Sequence, residues 1–247
     1  MRYLILSDIH ANLTAMDTAL AAAKGRWDGV ACLGDLVGYG PQPNEVVERI
    51  RSLGAITIRG NHDKAVSGLV DAEDFNPLAR AATLWTRDQL HPANLEYLEK
   101  LPKGPVAIDG FSILHGALHD EDEYVFGPTQ ALEGLLEAQL PVSFFGHTHI
   151  QGGFTLRDDQ VVVLHPKPTA GNLFSTLPIE SGTTYLVNPG SIGQPRDGDP
   201  RTAFAIADLE NHSIELWRVP YDIEAVQKRM TQAGLPDPLI SRLSFGR

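Results

Sequence analysis

Three short apolar runs, RYLIL (2–6), GVACLGD (29–35) and AITIRGN (55–61), are separated by stretches whose apolar residues return at helical spacing. Leu13, Met16, Leu20 and Ala23 mark the first stretch, with Asn12 placed to cap its start and Lys24-Gly25 to end it. Val46, Val47, Ile50 and Leu53 mark the second, closed by Gly54. This β-α-β-α-β order implies a parallel core with helices covering the sheet. Residues 66–101 are helical but irregular, with LARAATLWTRDQL (78–90) the clearest segment. After VAID and FSILHG comes a helix over 129–139, then PVSFFGH. The second half is mostly strands: GGFTL, VVVLH, TTYLVNPG, TAFAIADL and SIELWRVP. The last 27 residues return to helix, broken by AGLPDP (233–238). One α/β domain over 1–247 is expected, with 66–101 a helical cap or insertion.

A chain of 247 residues can bury a full core, and its hydrophobic share of 43% and charged share of 21% are ordinary for a soluble protein. No run approaches the roughly 20 apolar residues of a membrane helix, and the N-terminus lacks a signal-type apolar segment. A soluble, cytoplasmic protein without a membrane partner is expected. The single cysteine, Cys32, excludes an intramolecular disulfide framework and any cysteine-based zinc cluster. It lies in an apolar run and reads as a small buried hydrophobe. A net charge of −11 argues against broad contact with a nucleic-acid backbone, which needs clustered Lys and Arg.

Five polar clusters each follow an expected strand: SDIH (7–10), GDLVG (34–38), RGNHD (59–63), LHG (114–116) and GHTH (146–149). In open α/β sheets the ligand crevice lies outside the carboxyl ends of the strands. Asp8, His10, Asp35, Asn61, His115, His147 and His149 can therefore converge, although they span 142 positions. Taken singly, an Asp-x-His is a loop accident, Asn61-His62 is turn chemistry and His115 is a satisfied core histidine. What separates them from chance is that all five recur in one topological position, each with a metal-ligand side chain. Glycines at 34, 60, 116 and 146 flank them where backbone must approach closely.

The ordered set D-x-H, G-D, G-N-H-D, H-G and G-H-T-H resembles the calcineurin-like metallophosphoesterase superfamily. The tail NPGSIGQPRDGDPRTAFAIADL (188–209) extends the likeness to small bacterial phosphodiesterases of the YfcE-like branch. The resemblance implies an α/β fold, a four-layer sandwich of two mixed sheets flanked by helices, with a dinuclear metal centre. By that resemblance Asp35 bridges the ions, and a bridging ligand needs two oxygens to share. Asp8, His10 and His149 complete one shell, and Asn61, His115 and His147 the other. Two divalent ions are implied, Mn²⁺ first, with Fe or Zn²⁺ also suited to a mixed N/O shell. His62 matches the family's catalytic histidine, which supports the transition state or protonates the leaving oxygen, while a metal-bound hydroxide attacks phosphorus. The implied partner is a small phosphate ester, nucleotide-derived among the options, and a homo-oligomer is compatible with the sequence. A non-catalytic scaffold or a nuclease would be the alternatives, yet all seven ligands and His62 are retained and the charge is acidic.

One departure narrows the substrate. Phosphoprotein phosphatases of the superfamily resemble G-D-x-V-D-R-G at the second motif, whereas GDLVGYG has Gly38 and Tyr39 in place of the Asp and Arg. Phosphoserine proteins are thus disfavoured, and His62 is left without an assigned partner. The arginine candidates for phosphate are Arg59, Arg196 and Arg201, with Arg196 preferred for substrate binding beside Asn61; the competing reading of GQPRDGDPR is a surface turn. His91, His119, His165 and His212 lie outside the motifs and read as surface residues. HDEDEY (119–124) reads as a solvated loop, or as a rim of the site that repels polyanions. The C-terminal PLISRLSF is expected to pack on a neighbouring subunit or on its own core.

Overall fold

β1 (Arg2–Leu6) is buried on both faces: Tyr3 and Ile5 point into one apolar cluster, Leu4 and Leu6 into another. That double burial explains why the run reads as continuously apolar rather than alternating. The computed structural model describes residues 1–73, 75–166, 168 and 171–247. In it β1 pairs in parallel with β2 (Gly29–Cys32), which pairs in parallel with β3 (Ile56–Thr57). The expected helices join them, α1 (Leu13–Ala22) and α2 (Pro43–Ser52). The Asn12 side chain caps α1 by accepting from the Ala15 amide at 3.1 Å.

A seven-residue helix, α3 (Asn61–Ser67), leaves β3 directly, followed by α4 (Pro77–Gln89) and α5 (Pro92–Glu99). Then come β4 (Val106–Ile108), β5 (Phe111–Ile113), α6 (Pro128–Leu136), β6 (Val142–Phe144), β7 (Gly152–Arg157) and β8 (Gln160–Leu164). The chain continues through β9 (Phe174–Pro178), β10 (Thr184–Asn188), β11 (Thr202–Asp208) and β12 (Ser213–Val219). It ends in α7 (Ile223–Gln232), α8 (Asp237–Ser241) and a short 3-10 turn, Arg242–Phe245. β9 was not expected from sequence. FSTLP leaves its five residues half or fully exposed, so no apolar run announces it.

The strands form two mixed six-stranded sheets, ordered β3-β2-β1-β11-β12-β9 and β4-β5-β6-β10-β7-β8. Between them lies one core, with Ile5 of β1 and Leu33 and Ile58, just past β2 and β3, against Phe111, Phe144 and Val187 from the second sheet. The outer face of the first sheet packs Leu4, Phe204 and Ile206 against Met16, Val46 and Ile50 of α1 and α2. On the outer face of the second, Phe145, Phe154 and Leu186 meet Ala131 and Leu135 of α6. This is the four-layer sandwich implied by the motifs. Each fully buried Leu, Ile or Phe contributes about 1.5–3 kcal/mol, so the three apolar layers fix the two sheets face to face. The loops after β1, β2, β3, β5 and β6 therefore gather at one end.

Leu239, Ile240 and Leu243 of the C-terminal segment pack with Tyr39, Val226 and Met230. Of the two expected destinations for PLISRLSF, the chain's own core takes it. Cys32 is buried and free, and burial pushes its thiol far above the usual range, as expected of an inert packing residue. Among the described residues no helix is long and apolar enough to cross a membrane.

Candidate metal centre

The polar loops meet where the two sheets' strand ends converge, and their backbone is unusual. Asp8, His10, Asp35, His147 and His149 all adopt left-handed conformations, with φ between 47° and 66°. Such a residue costs about 1–2 kcal/mol over a right-handed one, and strain of this kind concentrates at functional sites. The surrounding structure enforces it. The Asp8 amide donates to the Gly34 carbonyl at 3.1 Å, and the His10 amide to the Asp35 carbonyl at 2.9 Å. A Cβ on Gly60 would run into the Asp35 carboxylate and lie 2.5 Å from its backbone nitrogen, so only glycine admits that approach.

All seven expected ligands are brought together. Two groups form, Asp8, His10, Asp35 and His149 in one and Asp35, His115 and His147 in the other, with Asp35 common to both. Asn61 joins the second, its Oδ1 standing 3.3 Å from His115 Nε2. Asp35 Oδ2 lies 3.6 Å from both His10 Nε2 and His115 Nε2. Its other oxygen accepts the His62 amide at 2.9 Å. Oδ2 thus faces both groups, while Oδ1 also holds the backbone of the third motif.

Hydrogen bonding fixes which ring nitrogens carry protons. His10 Nδ1 donates to the Val37 carbonyl at 3.0 Å, His149 Nδ1 to the Gln194 carbonyl at 2.7 Å, and His115 Nδ1 to the Leu33 carbonyl at 2.7 Å. In the neutral rings every Nε2 is then a bare lone pair. His10 Nε2 and His149 Nε2 nevertheless face each other at 3.1 Å, and His115 Nε2 faces the Asn61 carbonyl oxygen. Acceptors pointed at acceptors repel unless a cation lies between them. Two nitrogens sharing one ion at about 2.1 Å each stand roughly 3.0–3.4 Å apart, so the donor set fits divalent metal. His147 is the exception in orientation: its Nε2 donates to the Asp122 carbonyl at 3.0 Å, which turns Nδ1 toward the cluster.

Electrostatics agree. Burial pushes Asp8 up to about 7, and burial together with Asp63 pushes Asp35 well above the usual carboxylate range. Burial holds His10 and His149 well below theirs and lowers His147 to about 2. Neutral imidazoles and strained carboxyls without a counter-charge are the state a cation relieves.

His62 sits at the edge of the cluster, its ring 5.0 Å from that of His10, 4.5 Å from Tyr39 and 4.8 Å from Phe75. Its Nδ1 is buried without a partner among the described residues. A Cβ on Gly38 would stand 2.7 Å from that nitrogen, so the position where related phosphatases carry Asp here tolerates no side chain. Burial, and after it the Arg196 charge, lower the His62 pKa to about 3.

Of the arginine candidates, two are committed elsewhere. Arg59 grips Glu121 with two hydrogen bonds at 3.1 and 2.8 Å, and Arg201 is bound to Asp199 at 2.9 Å. Arg196 lies over Tyr39, its Cζ 5.7 Å from the ring centroid; its Nη2 donates to Gln194 Oε1 at 3.0 Å, and its buried Nε has no partner among the described residues. The exposed turn expected from GQPRDGDPR also exists, at Asp197–Asp199, with Arg196 half-buried at its root. His91, His119, His165 and His212 are exposed, as expected.

Sequence reasoning passed over several residues. Ser7 Oγ donates to Asp8 Oδ2 at 2.7 Å. Asp63 takes the amides of Leu36 at 2.9 Å and Gly60 at 3.0 Å, shaping two ligand loops. The acidic run is no mere solvated loop. Glu121 is buried between Arg59 and Lys64, and Asp122 both pairs with Lys64 and positions His147. Asp63 was legible within GNHD; the Glu121 contacts join positions 57 and 62 residues apart and carry no local signal.

Comparison with known proteins bears on the family and the fold. The family model of the calcineurin-like phosphoesterase superfamily domain matches residues 1–212. An uncharacterised protein of Methanocaldococcus jannaschii is 36% identical over 251 residues, covering 98% of this chain and 97% of that protein. The crystal structure of a metallophosphoesterase from Sphaerobacter thermophilus is similar with a TM-score of 0.83 and 39% identity, covering 100% of this chain and 99% of the other. A hypothetical protein from Pyrococcus horikoshii shares the fold with a TM-score of 0.79 at 22% identity, covering 100% and 98%.

Proposed function

The chain belongs to the calcineurin-like phosphoesterase superfamily and is a metal-dependent phosphoric ester hydrolase, and from that premise we propose that it is a two-metal enzyme acting on small phosphate esters. The observation that carries the reading is the pair of bare Nε2 lone pairs of His10 and His149 facing each other at 3.1 Å beside a carboxylate common to two donor groups. Asp8, His10, Asp35 and His149 would hold one divalent ion, and Asp35, Asn61, His115 and His147 a second. Mn²⁺ is the first choice for this N/O shell, ahead of Fe or Zn²⁺. Such ions supply Lewis acidity to the phosphoryl oxygens and make water a competent nucleophile near neutral pH.

The protein's own groups do the rest. Arg196 offers a planar donor whose buried Nε lacks an acceptor, a lack that a phosphate oxygen would satisfy. The Asn61 amide lines the cavity as a neutral contact for substrate. His62 works as a hydrogen-bond donor rather than as a proton source. With Nδ1 unpartnered, the cheaper tautomer leaves the lone pair there and the proton on Nε2, since a buried N–H without acceptor is rarer than a bare lone pair. A neutral imidazole lining the cavity then stabilises charge developing on the leaving oxygen. Lacking the Asp and Arg of the phosphoprotein phosphatases, the site suits small esters, nucleotide-derived ones included.

Purified protein should hydrolyse bis-p-nitrophenyl phosphate when loaded with Mn²⁺ and stop when chelator strips the metal. A folded, metal-loaded sample without turnover on diesters or monoesters would remove the enzymatic reading.

A further inference from the structure

A cavity of about 470 Å³ opens directly from His62, Asn61 and His147, within the usual size range for a small-molecule site. Its wall is aromatic on several sides: Tyr39, Phe75 and Tyr124 all line it. Two of these rings begin at the cluster itself. Phe75 packs on the His62 imidazole at 4.8 Å, and Tyr124 stacks on that of His147 at 3.8 Å with only 18° between the planes. Phe126 continues the stack outward, 5.1 Å from Tyr124 and tilted by 8°. The aromatic surface thus starts where a phosphoryl group would sit and leads away from it.

The charges lining the cavity sharpen the reading. Lys64 is already taken, its Nζ bonded to Glu121 at 3.1 Å and to Asp122 at 2.5 Å. Asp71 and Asp122 are the remaining ionisable acids of the lining. Beyond the phosphoryl position the described lining offers no unpaired cation to a second anionic group.

We propose that this cavity holds the esterified group of the substrate, and that this group carries a flat, uncharged aromatic ring, as a nucleoside or an aryl ester does, on a single phosphoryl group. The proposal rests on the phosphoesterase reading and adds to it the substrate class. A planar ring gains offset or edge-to-face contacts on this wall that a puckered ring of equal size forgoes. A ring bearing its own negative charge meets Asp71, while the one lysine of the lining is already held by Glu121 and Asp122.

The test is calorimetric, on Mn²⁺-loaded protein, so that it does not depend on turnover. Phenylphosphonate should bind on the order of tenfold more tightly than cyclohexylphosphonate, the scale of one ring-stacking contact, and 4-carboxyphenylphosphonate more weakly than either. Adenosine 5′-monophosphate binding more tightly than phenylphosphonate would assign the ring to a nucleobase; weaker binding would assign a simple aryl group. Phe75→Leu should shrink the phenyl-to-cyclohexyl ratio several-fold and Phe75→Trp should keep it, whereas a structural role alone would weaken both ligands alike. Cyclohexylphosphonate binding as tightly as phenylphosphonate to the wild type would overturn the proposal. Absence of bis-p-nitrophenyl phosphate hydrolysis would instead strike the enzymatic reading, and the two failures are read in separate experiments.

Discussion

Replacing Glu121 by Ala tests how the acidic loop holds the metal site. The carboxylate bonds Arg59 at 2.8 and 3.1 Å and Lys64 at 3.1 Å. Its removal strands two cations. Side-chain exposure is only 6% at Lys64 but 25% at Arg59, so water rescues one of them in part. Breaking a fully buried pair costs about 3–5 kcal/mol. Partial exposure of Arg59, and the Asp122 carboxylate that Lys64 retains, bring the expectation down to about 2–3 kcal/mol. The loss does not stop at stability. Freed from its anchor, the loop no longer presents the Asp122 carbonyl to His147 Nε2, the bond that turns Nδ1 toward the cluster. Losing such an outer partner costs roughly 10–100-fold in metal affinity. Urea unfolding of the metal-free protein measures the first effect, and Mn²⁺ titration by calorimetry at a temperature where the variant is folded measures the second. Glu121→Gln, which keeps the shape and some hydrogen bonding, should fall between. A variant that loses the expected stability yet binds Mn²⁺ like wild type would refute the link between this loop and His147.

Asp35→Asn should abolish turnover and cut metal content, since Oδ2 of that carboxylate is the oxygen common to both donor groups; elemental analysis beside the esterase assay checks it. His62→Ala should keep its metal and lose about 10²–10³-fold in kcat, the scale of one lost hydrogen-bond donor to developing charge, and because His62 stays neutral down to about pH 3, the shape of the pH profile between 5 and 8 should not change. Metal binding should strengthen as pH rises. Asp8 in the folded, metal-free protein has its pKa raised to about 7, so it holds a proton at pH 5 that metal must displace. Each pH unit below about 7 then costs roughly 1.4 kcal/mol of apparent affinity per proton displaced. The same shift sets a stability trend: the proton on Asp8 favours the folded state at low pH, and that contribution is lost as pH climbs from 3.8 through about 7. The gain in Tm on adding Mn²⁺ should accordingly grow from pH 5 to pH 8, and a flat or falling gain would contradict it.

Much of this site was readable before any coordinates, and the reason is topological. Asp8, Asp35, Asn61, His115 and His147 each lie within a few residues of a strand's end, and parallel pairing of β1, β2 and β3 brings loops far apart in sequence to one edge. Left-handed backbone at five of the ligands leaves no mark in the sequence, because Asp and His only tolerate that conformation and do not announce it. Arg59 illustrates the limit. Adjacency to a motif suggested phosphate, but its true partner, Glu121, is 62 positions away in an acidic run that composition alone assigns to solvent. Arg196 shows the opposite case, where a turn-forming sequence and the guanidinium proposed for phosphate occupy the same few residues. β9 escaped because edge position and exposure remove the apolar signal on which strand reading depends.

The account turns on a pair of divalent ions around Asp35. Crystals grown with Mn²⁺ and measured at the manganese absorption edge should give two anomalous peaks per chain. One should lie among Asp8, His10, Asp35 and His149, the other among Asp35, Asn61, His115 and His147 with the His147 contact through Nδ1. A single peak, or peaks lying away from Asp35 in a fully loaded crystal, would contradict it.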